Sequence, residues 1–349
     1  MNRYVGLSGM LVGMLSSVVL GANSPSDLPK ISAVANFLGT MPQGQSPQFH
    51  VSEIELGIQH YVYADVQANV FIGLHKEDSG ETAVELEEAF LTFSDFFGTL
   101  APDWQWPVIE TILGQKKLPI GKWNQQHPEQ RPFVDAPLTQ ELLIGGEEGL
   151  RGEGAQVSAV LPLPFFSRLS VGAWQIPPSE AEVGPVYGSP MVGVRSWNSL
   201  ALSDDTEIEL GLNGFTGSST ASQLNQQSIL GTDLTVTQAL GKQSFLKNMS
   251  EWFRVDYAAP EAGTRQPQFG LTSTLLYQPT AGYQLGGRYD WVGRHSEEET
   301  DQSRIALFAT RILSDTAKLR LQFNVDQDHS STVFLQCLVV LGPHSHAIN

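Results

Sequence analysis

The chain has 349 residues and carries 20 Lys+Arg against 37 Asp+Glu, a formal net charge of −17. That balance excludes a nucleic-acid partner, which needs a basic face. Hydrophobic residues make up 41%, too few for a bundle of membrane-spanning helices, and the lone Cys337 excludes an internal disulfide.

The first residues read as an export signal. Arg3 gives a positive start, Tyr4 to Leu20 carries no charge, and Val19-Leu20-Gly21 places cleavage near Gly21. A single membrane anchor is the alternative, but the uncharged run is short for one. Residues 22–29 then form an N-terminal extension and 30–349 the folded unit. Past residue 21 there is no apolar run of about 18 residues, the length that a spanning helix needs.

From there the signal is alternation. Ala64, Val66, Ala68, Val70, Ile72 and Leu74 form an aliphatic face, with Asp65, Gln67 and Asn69 on the other. The pattern recurs nearly to the C-terminus. It predicts strands at 30–38, 49–60, 63–75, 83–93, 108–116, 153–161, 167–176 and 191–201. The second half adds 206–214, 228–238, 249–257, 268–277, 282–291, 302–312, 316–326 and 331–341. Such writing, with lipid-facing and lumen-facing residues in turn, specifies a transmembrane antiparallel β-barrel of about 16 strands. The least regular segments, 191–201 and 228–238, leave about 14 or 18 strands open.

The connections alternate too. Short turns fall at Tyr61-Val62, Ser203-Asp204-Asp205 and Ser314-Asp315, and longer Gly/Pro/Ser-rich stretches fall between them. From a periplasmic N-terminus the short ones are periplasmic and the long ones extracellular. Aromatic residues near strand ends, among them Tyr61, Tyr63, Phe165, Phe166, Tyr277 and Tyr283, suit interfacial girdles.

The longest connection, 117–152, is the third extracellular loop on this count. It carries Leu118, Ile120, Trp123, Phe133 and Leu142-Leu143-Ile144, enough apolar residues to pack against something. In a barrel that surface is the inner wall, and a loop folded inward forms a constriction. Its candidate selectivity residues are Lys122, His127, Arg131, Asp135, Glu147, Glu148 and Arg151, with Asp65, Arg254, Arg288 and Arg320 expected on the lumen wall. Acids dominate the proposed wall, which includes Glu53, Glu55, Glu207, Glu209, Asp256, Asp290 and Asp326, so a weak cation preference is expected.

Several of these stretches are similar to one family. They are Gly114-Gln115-Lys116-Lys117, Gly121-Lys122, His127-Pro128-Glu129-Gln130-Arg131-Pro132-Phe133-Val134-Asp135, and Gly145-Gly146-Glu147-Glu148-Gly149-Leu150. With Val84 to Phe93 and Leu341-Gly342-Pro343-His344, they resemble bacterial outer-membrane proteins grouped with phosphate-selective porins O and P, often labelled TonB-dependent receptors. The resemblance implies a porin-like channel. Glu129 stands where relatives tend to show a second His, and Asp135 is followed by Ala136-Pro137 rather than a basic residue and Pro. Both departures weaken a loop metal or anion site. The TonB label fits poorly, because a 22-stranded plugged barrel exceeds this length.

Catalytic signatures are absent. Nucleophile elbows, phosphate-cradling glycine loops and cysteine zinc spacings do not occur, and Glu85 and Glu87 share a strand face that solvates a lumen. His344 and His346 belong to a terminal tail. The reading is therefore a non-enzymatic channel without metal or cofactor, in the outer membrane of a Gram-negative bacterium. Its partners are membrane lipid and small hydrophilic solutes or ions, and a homotrimer is open. The competing readings are an exported β-sandwich that binds carbohydrate or protein, and a metal or solute uptake receptor.

Overall fold

The computed structural model describes residues 28–76, 82–101, 103, 107–177, 190–218, 226–258, 265–293 and 301–343. The signal segment with Gly21, most of the 22–29 extension, Trp104, Trp106, His344 and His346 lie outside them.

Sixteen strands form one sheet: β1 (Lys30–Pro42), β2 (Gln48–Tyr63), β3 (Val66–Lys76), β4 (Thr82–Phe93), β5 (Glu110–Lys117), β6 (Arg151–Val160), β7 (Phe166–Gln175) and β8 (Met191–Ser203). They continue as β9 (Thr206–Ser218), β10 (Gln226–Ala239), β11 (Phe245–Ala258), β12 (Arg265–Thr280), β13 (Tyr283–Gly293), β14 (Gln302–Ser314), β15 (Ala317–Asp326) and β16 (Ser331–Leu341). Each pairs antiparallel with its chain neighbours. β16 closes onto β1 with Leu338 opposite Asn36, so no edge remains. All sixteen expected strands are present, most of them longer than expected.

Polarity is inverted relative to a water-soluble protein. On β15, Leu319, Leu321 and Phe323 are exposed while Arg320, Gln322 and Asn324 are buried. These three buried side chains are hydrogen-bonded across the lumen face. Arg320 Nη1 donates to Gln336 Oε1 at 2.7 Å, and Gln336 Nε2 donates to Asn36 Oδ1 at 2.9 Å, linking β15, β16 and β1. Outside, exposed Ile54, Leu56, Leu212, Leu230, Ile305, Leu307 and Leu335 continue the apolar surface around the barrel. Water tolerates such patches only up to a few hundred Å². A bilayer removes that cost, and closure lets neighbouring strands pair their backbone groups with one another, as lipid requires. This is a transmembrane β-barrel. Exposed Tyr61, Tyr63, Phe165, Phe166, Tyr277 and Tyr283 ring the end that carries the short turns.

Two expectations are corrected. β2 runs on to Tyr63 and turns at Ala64-Asp65, with a register shift opposite Val66. Asp65 is thus an exposed turn residue, not a wall residue, and its carbonyl accepts Ser94 N at 2.9 Å. On β11 the phase is reversed. Arg254 and Asp256 pair at 3.0 Å with Arg254 exposed, while Phe253 and Val255 face inward. The reason is that apolar residues of segment 118–150 cover this part of the inner wall.

Within the connections are two short helices, α1 (Phe96–Leu100) and α2 (Leu138–Leu143). Gly114 on β5 has φ +131°, and a Cβ there would meet Ala89 O at 2.2 Å, so the close approach of β4 and β5 requires glycine.

Candidate functional site: the segment inside the barrel

Residues 118–150 join β5 to β6 and lie among inward-facing residues of the barrel. Asn124 ties the two ends of the segment. Its Nδ2 donates to Leu118 O at 2.8 Å and Leu150 O at 2.9 Å, and its Oδ1 accepts Leu150 N at 2.7 Å. Leu118, Ile120, Leu143 and Ile144 are essentially solvent-free and pack with Trp174, Met191, Phe215, Ile229, Phe253 and Val292. Burial of these side chains stabilises docking by about 1.5–3 kcal/mol each. A second cluster stacks Trp123 and Phe133 against Phe308 and Met249, with the Arg288 guanidinium 4.7 Å from the Phe133 ring centre.

Polar anchors reach the wall in several directions. Lys122 Nζ donates to Glu209 Oε2 on β9 at 2.7 Å and to Thr235 Oγ1 on β10 at 2.9 Å. The backbone N–H groups of Lys122 and Trp123 converge on Glu251 of β11. Gly121 N donates to Asn213 Oδ1 at 3.2 Å.

His127 inserts among acids on the opposite wall. Its Nδ1 lies 3.1 Å from Glu55 Oε2 and its Nε2 lies 3.2 Å from Glu88 Oε2, with Glu87 Oε2 at 3.5 Å from Nδ1. Burial and Lys117 oppose its charge, but these carboxylates outweigh them and hold the imidazole protonated well above its ordinary value. Glu87 and Glu88 both face inward because β4 carries a bulge: Ile72 faces Leu86 and Phe71 faces Glu88, which leaves Glu87 as the extra residue.

Asp135 binds the basic wall of β13 to β15. Its carboxylate accepts Arg288 Nη2 at 3.0 Å, Arg304 Nη1 at 3.1 Å and Asn324 Nδ2 at 2.8 Å, with Gln322 beside them. Burial opposes its charge, but Arg288 and Arg304 prevail and hold the carboxyl below the usual aspartate range. Glu141 on α2 bonds Arg304 at 2.9 Å; burial lifts it to about 7 against the pull of that arginine.

Of the other expected residues, Arg131 is buried, reaches Glu147 O at 3.3 Å, and its carbonyl accepts Arg320 Nη2 at 2.9 Å. Arg151 pairs with Glu85, Glu147 is exposed and Glu148 half-buried. Arg288 and Arg320 lie on the inner wall; Asp65 and Arg254 do not. Sequence reasoning missed Arg304 and Glu251, and it placed Gln322 and Asn324 on the polar face of their strand without assigning them to the site. Arg304 was detectable, because it shares the period-two face of Ala306, Phe308 and Thr310.

Below Arg131, at the end with the short turns, a cavity of about 440 Å³ opens between Gln126, Lys247, Lys318 and the 314–316 turn.

No protein-family model and no curated protein matches the chain. Solved structures do match its fold. OmpF of Salmonella typhi, in a complex with daunomycin, aligns with a TM-score of 0.60 at 9% identity, over 90% of this chain and 97% of that one. The outer-membrane channel DcaP of Acinetobacter baumannii gives 0.59 at 11% identity, over 92% and 99%. An anion-selective porin from Comamonas acidovorans gives 0.58 at 10% identity, over 90% and 99%. The chain has the 16-stranded barrel fold of these porins.

Proposed function

We propose that this protein is a porin-like channel for passive diffusion of small hydrophilic solutes or ions across the outer membrane of a Gram-negative bacterium. In this reading residues 1–21 are the export signal, and segment 118–150 is the constriction. The observation that carries the proposal is the inverted polarity of a closed barrel whose inner wall holds an inserted segment by charged and hydrogen-bonded side chains. The porin and channel structures that share the fold support it. A sandwich of two sheets is not favoured, because the strands make one closed sheet.

Charge along the wall is segregated. Arg288 and Arg304 on β13 and β14 pair with Asp135, Glu141, Asp290 and Asp326, while Lys318 and Arg320 on β15 donate to the carbonyls of Glu129 and Arg131. Glu53, Glu55, Glu85, Glu87 and Glu88 on β2 to β4, joined by Glu148, outnumber by one the cations near them, His75, Lys116, Lys117, His127 and Arg151. The excess acid supports a weak cation preference. Reversal potential across a planar bilayer in a salt gradient tests this: a modest cation-selective potential is expected. Clear anion selectivity would overturn the charge assignment, and absence of any conductance would overturn the channel. A homotrimer is tested by cross-linking in detergent.

A further inference from the structure

We propose that Glu53, His75 and Glu87 form a binding site for a divalent transition-metal cation, of the class of Zn²⁺, on the inner wall of β2 to β4. The inference stands apart from the channel reading. Sequence alone placed no metal here, because the donors come from three strands and only barrel register assembles them.

Glu53 faces His75 directly across β2 and β3. Glu87 is the residue inserted by the β4 bulge, a device that re-aims a side chain at the wall. One donor atom from each residue lies within 4.8 Å of the others. His75 Nε2 and Glu87 Oε1 stand 3.3 Å apart, which matches the roughly 3.3–3.5 Å between two donors bound tetrahedrally to one ion at about 2.0–2.1 Å.

Three independent features point to a cation. Glu53 is 9% exposed and Glu87 1%, yet Glu53 Oε1 is buried without a hydrogen-bond donor, and the Glu87 oxygens have only His75 at 3.3 Å and His127 at 3.5 Å beside them. A His75–Glu87 ion pair alone leaves the Glu53 oxygen uncompensated, at a cost that a dication removes. Next, Gly73 lies between the donors, and a Cβ there would sit 2.1 Å from Glu87 Oε1 and 2.3 Å from His75 Nε2. Its φ is not in the left-handed region, so space rather than backbone conformation calls for glycine. Finally, His127 Nδ1 lies 3.5 Å from Glu87 Oε2, an outer contact of the kind that orients a ligating carboxylate.

The donor set selects the metal class. One imidazole with two carboxylates suits Zn²⁺, Mn²⁺ or Fe²⁺, whereas Ca²⁺ and Mg²⁺ favour oxygen-only shells. The His75 side chain is 21% exposed, which gives an ion a route to the site.

The test uses the full barrel, folded in detergent without a histidine tag, stripped with chelator and titrated with Zn²⁺ by calorimetry, with Co²⁺ absorption as a second readout. One tight site per chain is expected. His75→Ala and the near-isosteric Glu53→Gln should each weaken it at least about tenfold and alter the Co²⁺ spectrum. Folding of each variant is checked by heat-modifiable gel migration. Stoichiometric binding that survives both substitutions, or no tight binding to the wild-type barrel, would overturn the proposal.

Discussion

Arg288 on β13 and Asp135 in the inserted segment are joined at 3.0 Å although 153 residues separate them in sequence, and Arg288 is fully buried there. The same guanidinium donates to Asp135 O at 2.9 Å and to Asp290 at 2.7 Å. One side chain thereby fixes both the backbone and the carboxylate of the segment to the wall.

Asp135→Ala leaves Arg288 with one acid fewer and removes acceptors from Arg304 and Asn324. Breaking a buried pair of this kind costs about 3–5 kcal/mol, so the segment should undock while the barrel, held by its own ladder, stays folded. The expected outcome is a larger single-channel conductance and new tryptic cleavage after Lys122, which is held against Glu209 in the docked state. Unchanged conductance in a folded variant would refute the constriction role.

The pH dependence follows from three loop groups with different signs. The raised His127 contributes stability fully below its ordinary value, and loses it as pH rises from there through its elevated folded value. The lowered Asp135 contributes above its ordinary value and loses it only as pH falls through its depressed one. Asp135 does not change between roughly pH 5 and 7, and His127 adds a decline only above about 6.5, where the undocked imidazole releases its proton. Glu141, lifted to about 7, holds a proton in the docked state that the undocked state releases near its ordinary value, so docking weakens as pH rises through that window, by at most about 3 kcal/mol. Urea midpoints of the wild type should therefore fall from about pH 5 to 7, and Glu141→Gln should flatten the slope.

On β3, Asn69 is buried and bonded to Gln59 at 2.9 Å, while neighbouring Val70 lies on the outer face. Val70→Arg should cost about 2–4 kcal/mol if the residue sits near the bilayer midplane. Asn69→Arg should cost less, since a lumen-facing arginine finds acids on this wall. Folding titrations in lipid vesicles measure both; equal costs would contradict the assigned faces.

Topology is checked on cells. An epitope inserted within 219–225 should be labelled from outside, and one at the 281–282 turn should not. The reverse pattern would invert the orientation.

Strands were legible because alternation is local: Leu319, Leu321 and Phe323 against Arg320, Gln322 and Asn324 need no knowledge of the rest of the chain. Arg254 shows where that logic stops. Apolar was equated with lipid, but Phe253 and Val255 meet Ile120 and its neighbours inside the barrel, so the phase of β11 inverted. Glu88 was missed for a related reason, since strict alternation admits Glu85 and Glu87 and a bulge is needed to turn Glu88 inward. The charged residues of the 118–150 segment and several wall residues that bind them, Glu55, Glu209, Arg288 and Arg320, were visible in the sequence, whereas which meets which was not. Asp135 and Asn324 are 189 positions apart, and only closure brings them together.

That separation has a temporal consequence. Anchors of the inserted segment lie on β2 and β4 at one extreme of the chain and on β13 to β15 at the other. The first strands can offer His127 its acids early, but Asp135 has no arginine until the final hairpins arrive. Barrel zippering must therefore precede full insertion, and the segment must wait in a partly solvated state while apolar Leu143 and Phe133 lack their cover. Contacts of such long sequence range are slow to form. Refolding should end in a discrete late phase in which Trp123 passes from solvent into the interior after β-sheet growth is complete.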